Sequence, residues 1–246
     1  GPGFKGDPSP QLINSLDATL VDQNGAPAAN LAVQLCGLDI CLFGDTDANG
    51  HVFISAGDKT LDTPAFKSGE GVLFGRFANL LPNDADIVLG TVTAAKLPTE
   101  GQAMTPGGSV TSGDVTLTFE ADAFIEVDDL TFGEPEMQLF RTATIPIGMA
   151  PPAVDPSLNF ELLYAATPHE TLFCPPAKLT VNNSEGWAAE TEVEVFLHGI
   201  SISEEYAPYG GWAKVAEGKV SADGATISTH DGEGLPELSP FAIRRK

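Results

Sequence analysis

The sequence of 246 residues predicts an all-β protein that consists of two β-sandwich domains in tandem. Short runs of alternating apolar and polar residues recur along the chain, and a period of two is typical of a strand with one buried face. Turn residues separate these runs at short intervals. No stretch keeps the 3.6-residue period of a helix over three turns. Because 42% of the residues are hydrophobic, the chain can bury a substantial core.

A first domain is predicted over residues 11–98, after an extended leader over residues 1–10 that is rich in Pro and Gly. About seven short strands are expected there, one of them after the Gln23-Asn24-Gly25 turn. The strands that the pattern locates are Leu16–Val21, Leu31–Cys36, Ile40–Phe43, His51–Ser55, Val72–Phe77 and Ile87–Ala95.

Cys36 and Cys41 flank a four-residue segment between two of these strands. If the strands are neighbours, the two sulfurs meet across a short turn, and we predict a disulfide. A zinc site would need a second ligand pair, and the sequence has no CxxC or HxxxH. A disulfide indicates an oxidising compartment, so the protein is expected to be secreted or at the cell surface. Cys174 lies among apolar residues and is expected to be a buried, unreactive thiol.

Asp45, Asp47 and Asn49 match positions 1, 3 and 5 of a calcium-binding EF-hand loop, with Gly50 at position 6. Position 12 holds Ala56 instead of Glu and no helices flank the loop, which excludes an EF-hand. The favoured interpretation is a β-turn in which Asp47 and Asn49 bond the local backbone and Gly50 takes a positive φ. Weak Ca²⁺ binding by the three residues stays the alternative, and no other cofactor is expected.

Two segments of the first domain, LVDQNGAPAANLAVQL and DTDANGHVFIS, carry a G-x-P-x-x-x-x-x-V pattern and then a T-D-x-x-G-x-F-like pattern. The matching positions are Gly25, Pro27 and Val33, then Thr46, Asp47 and Gly50, with Phe53 one place late. Over about residues 14–95 the chain thereby resembles the carboxypeptidase regulatory-like, transthyretin-type β-sandwich. The resemblance implies a non-catalytic accessory module of secreted and cell-surface proteins.

The second predicted domain, residues 99–246, opens with a hairpin. Pro106, Gly107 and Gly108 favour a turn, since Pro fixes φ and Gly permits positive φ. The following Val115–Phe119 alternates apolar and polar residues, so its threonines are expected to face water or a second layer. A later hairpin is expected at Asp223-Gly224.

Three stretches of this domain, GGSVTSGDVTLTFEADAF, LLYAATPHETLFCPPAKLTV and LSPFAI, resemble parts of the ZU-five domain, a β-sandwich of netrin receptors, tight-junction scaffolds and ankyrins. The match spans most of residues 105–243. Glu120 stands where the family has Pro, and Asp122 replaces a Gly. The His-Phe-Ser tripeptide at which some members cleave themselves is absent, so the resemblance does not imply self-cleavage.

Charge excludes several function classes. The chain carries 12 Lys and Arg against 34 Asp and Glu, a net charge of −22, which repels nucleic acid and anionic membranes. No apolar run approaches the roughly 18–20 residues that span a bilayer, so membrane insertion is not expected.

No GxSxG, HExxH or phosphate loop is present, and pairs such as Glu204-Glu205 are expected by chance. Glu190, Glu192 and Glu194 are interpreted as the solvated face of a strand.

Aromatic residues offer the best candidate ligand site. Trp187 follows Gly186, and Tyr206, Tyr209 and Trp212 lie within seven residues of one another. We expect Tyr206, Tyr209 and Trp187 to form an exposed platform for a glycan or a protein, and Trp212 to cap the core.

The sequence therefore predicts a non-catalytic structural or adhesive protein that binds protein or glycan. Self-assembly into an oligomer or filament is possible on two grounds: the leader suits a neighbour's open sheet edge, and the cationic tail Arg244–Lys246 suits a neighbour's acidic surface. The alternative for the termini is that each packs on its own domain. The alternative for the function is an accessory module of an extracellular carbohydrate-active or peptidase enzyme that uses surface carboxylates.

Overall fold

A computed structural model describes residues 9–69 and 71–246 of the chain. Residues 1–8 of the expected leader lie outside this range, and Pro10 already begins a strand. The all-β class is confirmed, because the described residues form strands and only two short 3-10 turns, Ile147–Met149 and Pro156–Leu158.

Residues 10–93 form two sheets whose inner faces share one core. The strands are β1 (Pro10–Val21), β2 (Ala32–Cys36), β3 (Cys41–Asp45), β4 (His51–Asp62), β5 (Ala65–Ser68), β6 (Phe77–Leu80) and β7 (Asp86–Thr93). One sheet has the order β4-β1-β7 and the other the order β3-β2-β5-β6. Within the first sheet, β1 pairs antiparallel with β4 and parallel with β7.

The predicted strand Val72–Phe77 is wrong, since residues 71–76 form a turn with an isolated bridge from Phe74 to Lys96 and β6 begins at Phe77. Gly75 explains why this segment differs from the predicted strand. A Cβ on Gly75 would lie 2.3 Å from the Cβ of Ala165, so only glycine permits this close approach to the second half of the chain. Strand β5 was not predicted because Ala65, Phe66 and Ser68 are all buried, which removes the alternating pattern.

The second half forms one large sheet around a separate core. Its strands are β8 (Ser109–Ser112), β9 (Val115–Thr118), β10 (Phe124–Glu126), β11 (Arg141–Thr144), β12 (Leu162–Thr167), β13 (Thr171–Asn182), β14 (Glu192–His198), β15 (Trp212–Val220), β16 (Thr226–Thr229), β17 (Leu235–Leu238) and β18 (Phe241–Arg245). The order is β11-β12-β18-β14-β15-β16-β13-β9-β8, and both β10 and β17 also pair with β13.

The predicted opening hairpin is confirmed as β8 and β9, and its solvent face is a ladder of hydroxyl pairs, Ser109 with Thr118 and Thr111 with Thr116. The sheet curls until its two ends meet. Ser112 on β8 accepts the N–H of Thr142 on β11 at 2.9 Å, and its carbonyl accepts the Thr142 hydroxyl at 2.6 Å. These bonds satisfy part of two edges that would otherwise be open.

A third apolar cluster joins the two halves. Phe77, Ala95 and Leu97 pack there against Leu163, Phe196 and other residues of the second half. The predicted boundary near residue 98 therefore lies beside a packed interface, and the division into two domains stays a prediction.

The predicted disulfide is confirmed. Cys36 and Cys41 face each other across β2 and β3 and are bonded. The prediction for Cys174 is wrong, because its free thiol is exposed. The preceding Phe173 points into the core against Phe119, and strand alternation then turns Cys174 outward.

Replacing Cys36 and Cys41 together by alanine should lower the free energy of unfolding by about 2 kcal/mol, the value expected for closing so short a loop. Urea unfolding measures the change. The matched control is Cys174→Ala, which removes an exposed thiol and should leave stability within about 0.5 kcal/mol. Equal stability of the double variant and the wild type would contradict the expectation.

Candidate functional site

The segment at Asp45, Asp47 and Asn49 is a turn. The Oδ1 atom of Asp47 accepts the backbone N–H groups of Asn49 at 2.8 Å and His51 at 2.9 Å, and Gly50 has φ of 80°. The predicted β-turn is thus confirmed for Asp47 and Gly50. The two backbone bonds lower the pKa of Asp47. Within residues 9–69 and 71–246 no three His, Cys, Asp or Glu side chains lie close enough to hold a metal, and Ca²⁺ binding stays a prediction.

The expected exposed aromatic platform is wrong for two of its three members. Trp187 is 8% exposed and packs in the second core, where Arg245 stacks over its ring. Tyr209 is 4% exposed, and Tyr206 is partly buried against the second core. The expectation for Trp212 is confirmed, since its ring packs against Phe160 and its Nε1–H donates to the Ala153 carbonyl.

Tyr209 belongs to a buried polar cluster between the two halves. The Lys67 ammonium lies 5.3 Å from the centre of the Tyr209 ring, and His169 Nδ1 lies 3.3 Å from Glu170 Oε2. Burial, helped by the nearby Arg76, lowers the pKa of Lys67 to about 8, and burial also lowers the pKa of His169. Residues far apart in sequence form this cluster, so no local pattern predicted it.

His198 on β14 connects the two halves directly. Its Nε2 accepts the backbone N–H of Ala78 on β6 at 3.1 Å, so the ring proton sits on Nδ1 and is donated to the Gly211 carbonyl at 2.9 Å. Both ring nitrogens therefore have backbone partners. Because the ring is fully buried, the pKa of His198 falls to about 4.

Glu237 on β17 is the carboxylate whose pKa most resembles that of a catalytic acid. Burial raises its pKa to about 7, and Glu170 and Glu205 add to the effect. The adjacent cavity, lined by Glu204, Glu205 and Ser201 among others, has a volume of about 10 Å³. That is about the space of one water molecule, so a sugar residue does not fit. The sequence shows Glu204-Glu205 as a pair of adjacent acidic residues. No sequence pattern indicates Glu237, because the residues that surround it in space are distant in sequence.

The prediction that the acidic residues at 190–194 lie on one outer strand face is confirmed for Glu192 and Glu194, which alternate with the buried Val193 and Val195 on β14. Glu190 instead precedes the strand, with φ of 63°, and pairs with Lys219. Glu192 contacts His230, and Glu194 pairs with Arg244.

The cationic tail is bound within its own chain. Arg244 pairs with Glu194, Arg245 with Glu161 and Lys246 with Glu217. The alternative of packing on its own domain is therefore confirmed for these three residues, and binding of the tail to a neighbour stays a prediction.

The outer face of the β4-β1-β7 sheet carries a row in which two exposed apolar side chains flank an acidic one. Phe53, Asp17 and Val88 are in register across the three strands, and Phe53 is 59% and Val88 76% exposed. Strand β7 has β1 on one side, and in residues 9–69 and 71–246 no strand pairs with its other side. The alternation in His51–Ser55 would have revealed Phe53, but the register that brings Val88 into the same row depends on a parallel pairing that sequence does not indicate.

No family model matches the chain, and no curated protein matches it. The two family resemblances therefore stay predictions beyond the all-β class. Among the described residues, no helix has the length and apolar character needed to cross a membrane.

The buried His198 predicts a pH-dependent stability. Its folded pKa of about 4 lies below the ordinary value of 6.5, so the unfolded chain takes up the proton first and stability is lost as pH falls from about 6.5 to 4. In His198→Gln this loss is absent. The stability advantage of the wild type over the variant should shrink by about 3 kcal/mol across that range.

Urea unfolding at a series of pH values measures this difference. Phe77→Leu is the control, because it trims the ring beside His198 without removing a titratable group, so its deficit should not change with pH. A constant gap between wild type and His198→Gln would show that the histidine does not carry the effect.

Proposed function

We propose that this protein is a non-catalytic structural or adhesive protein of the extracellular space or cell surface, which binds protein or glycan and associates with copies of itself. The single observation that carries the proposal is the open edge of β7, the strand that bears the exposed Val88. Unpaired strand edges with apolar neighbours are surfaces on which another chain adds a strand.

The chemistry of the edge supports strand addition. Strand β7, DIVLGTVT, contains no Lys and no Pro, which commonly protect an edge strand, although its pairing with β1 has a bulge between Val88 and Gly90. Two copies related by a two-fold axis beside β7 would join their three-stranded sheets, and their exposed Val88 side chains would lie on the joined outer face.

Two features favour a non-catalytic role. Both nitrogens of His198 bond backbone groups, so this buried imidazole has no position left for a substrate proton. Many surface carboxylates, such as Glu161, Glu194 and Glu217, are in ion pairs. The disulfide is of the kind that persists in oxidising compartments, which supports the extracellular placement.

Val88→Lys should weaken self-association by at least about tenfold, because a lysine on an edge strand places an unpaired charge against the second copy. Sedimentation velocity over a wide concentration range measures it. Leu130→Lys is the matched control, because Leu130 is 94% exposed but lies far along the chain from β7. A wild type that stays monomeric at every concentration would refute self-association through this edge.

The alternative, an enzyme accessory or weak hydrolase, is favoured by Glu237, whose raised pKa of about 7 suits a general acid. Under our proposal, neither the wild type nor Glu237→Gln should hydrolyse chromogenic glycosides or peptides above background. Circular dichroism checks that the variant is folded. Hydrolysis by the wild type that a folded Glu237→Gln loses would favour the enzyme and overturn the non-catalytic assignment.

A further inference from the structure

An apolar groove lies in the second half of the chain, apart from the β7 edge. It has a volume of about 490 Å³. The apolar residues that line it are Met104, Pro106, Phe124, Ile125, Val127 and Leu139. Phe124 is 60% exposed. Successive side chains of a strand point to opposite faces, so a groove that reaches both Phe124 and Ile125 runs along the edge of β10.

Strand β10 has a free side at this groove. Residues 124–126 pair with Leu172–Cys174 of β13, and within residues 9–69 and 71–246 no backbone hydrogen bond joins them to any other segment. Their remaining N–H and C=O groups are therefore open to an added strand.

The far wall of the groove is held in place before any ligand arrives. The Arg141 side chain is 4% exposed and donates to the carbonyls of Leu139 at 3.0 Å and Glu136 at 2.9 Å. Gln138 donates to the Phe132 carbonyl at 2.8 Å. A preformed wall lowers the entropy cost of binding.

The charge around the groove selects its occupant. Between residues 97 and 140 the sequence has nine Asp and Glu and no Lys or Arg. Glu126, Glu134 and Glu136 are exposed and adjoin groove-lining residues in sequence. The nearest cation along the chain, Arg141, is buried and bonded to carbonyls. The rim is thus negative and residues 97–140 supply no Lys or Arg to it, so a cationic partner is complementary to it.

From these contacts we infer that the groove beside β10 binds an extended peptide segment of another protein, in which apolar side chains alternate with Lys or Arg. The segment adds a short strand to β10, its apolar side chains contact Phe124 and Leu139, and its cations meet the acidic rim. This site is separate from the β7 edge, so the inference does not depend on self-association.

The test uses the full chain and the labelled peptide KVKLKVK, capped at both ends, in fluorescence anisotropy. We expect it to bind at least about tenfold more tightly than KSKSKSK, which has the same charge without the apolar side chains, while EVELEVE does not bind. A KVKLKVK peptide with N-methyl groups on one backbone edge should bind at least about tenfold more weakly, because it cannot pair with β10. Salt at about 1 M should weaken binding, since the Debye length falls to about 3 Å.

The variant is Phe124→Ser and its matched control is Leu130→Ser, which removes a more exposed apolar side chain from the same acidic segment outside the groove lining. We expect Phe124→Ser to bind KVKLKVK at least about fivefold more weakly and Leu130→Ser to bind as the wild type does. Equal binding of KVKLKVK and KSKSKSK, or an unaffected Phe124→Ser, would overturn the inference. Loss of self-association in Phe124→Ser would also overturn it, because the occupant would then be a second copy.

Discussion

The hydrogen bond between the Ala78 amide and His198 joins two halves that also share the apolar cluster of Phe77, Leu163 and Phe196. It supplies an acceptor to the outer edge of β6, beside which no further strand lies in residues 9–69 and 71–246. The bond is buried, so it requires an unprotonated imidazole whose position is fixed by Gly211 and by the rings of Phe77 and Trp212. Replacing the imidazole by an apolar side chain would leave the Ala78 N–H buried without a partner, at a cost of about 1–3 kcal/mol.

The strand edges of the molecule differ in what covers them. The edge of β6 is capped by a side chain of the other half, and the ends of the large sheet meet through Ser112 and Thr142. The edges of β7 and β10 have no such cover among the described residues. Proteins usually protect exposed edges with charge, proline or a bulge. The bulge of β7 and the single charge of β10, Glu126, protect these two edges only in part, so they are the natural places to seek partners.

Sequence reasoning succeeded where structure depends on near neighbours. The Val115–Phe119 alternation, the Cys36–Cys41 pair and the Asp47 turn each involve residues within a few positions of one another. It failed where distant segments decide the environment. Tyr209 is buried because Ala65 and Ala78 of the other half pack with it, and the pKa of Glu237 is raised by burial together with Glu170 and Glu205. The groove beside β10 escaped notice because a three-residue strand has too few positions to show a period.

The order of the large sheet has a consequence for biosynthesis. Strand β18 follows the other ten strands of this sheet in sequence, yet it lies between β12 and β14 and pairs with both. While the ribosome is still making earlier residues, β12 and β14 each present an unfilled edge to the cell, and the second core cannot close. The nascent second half must therefore remain incomplete until its last strand has left the exit tunnel, which makes it a candidate client for chaperones during that interval.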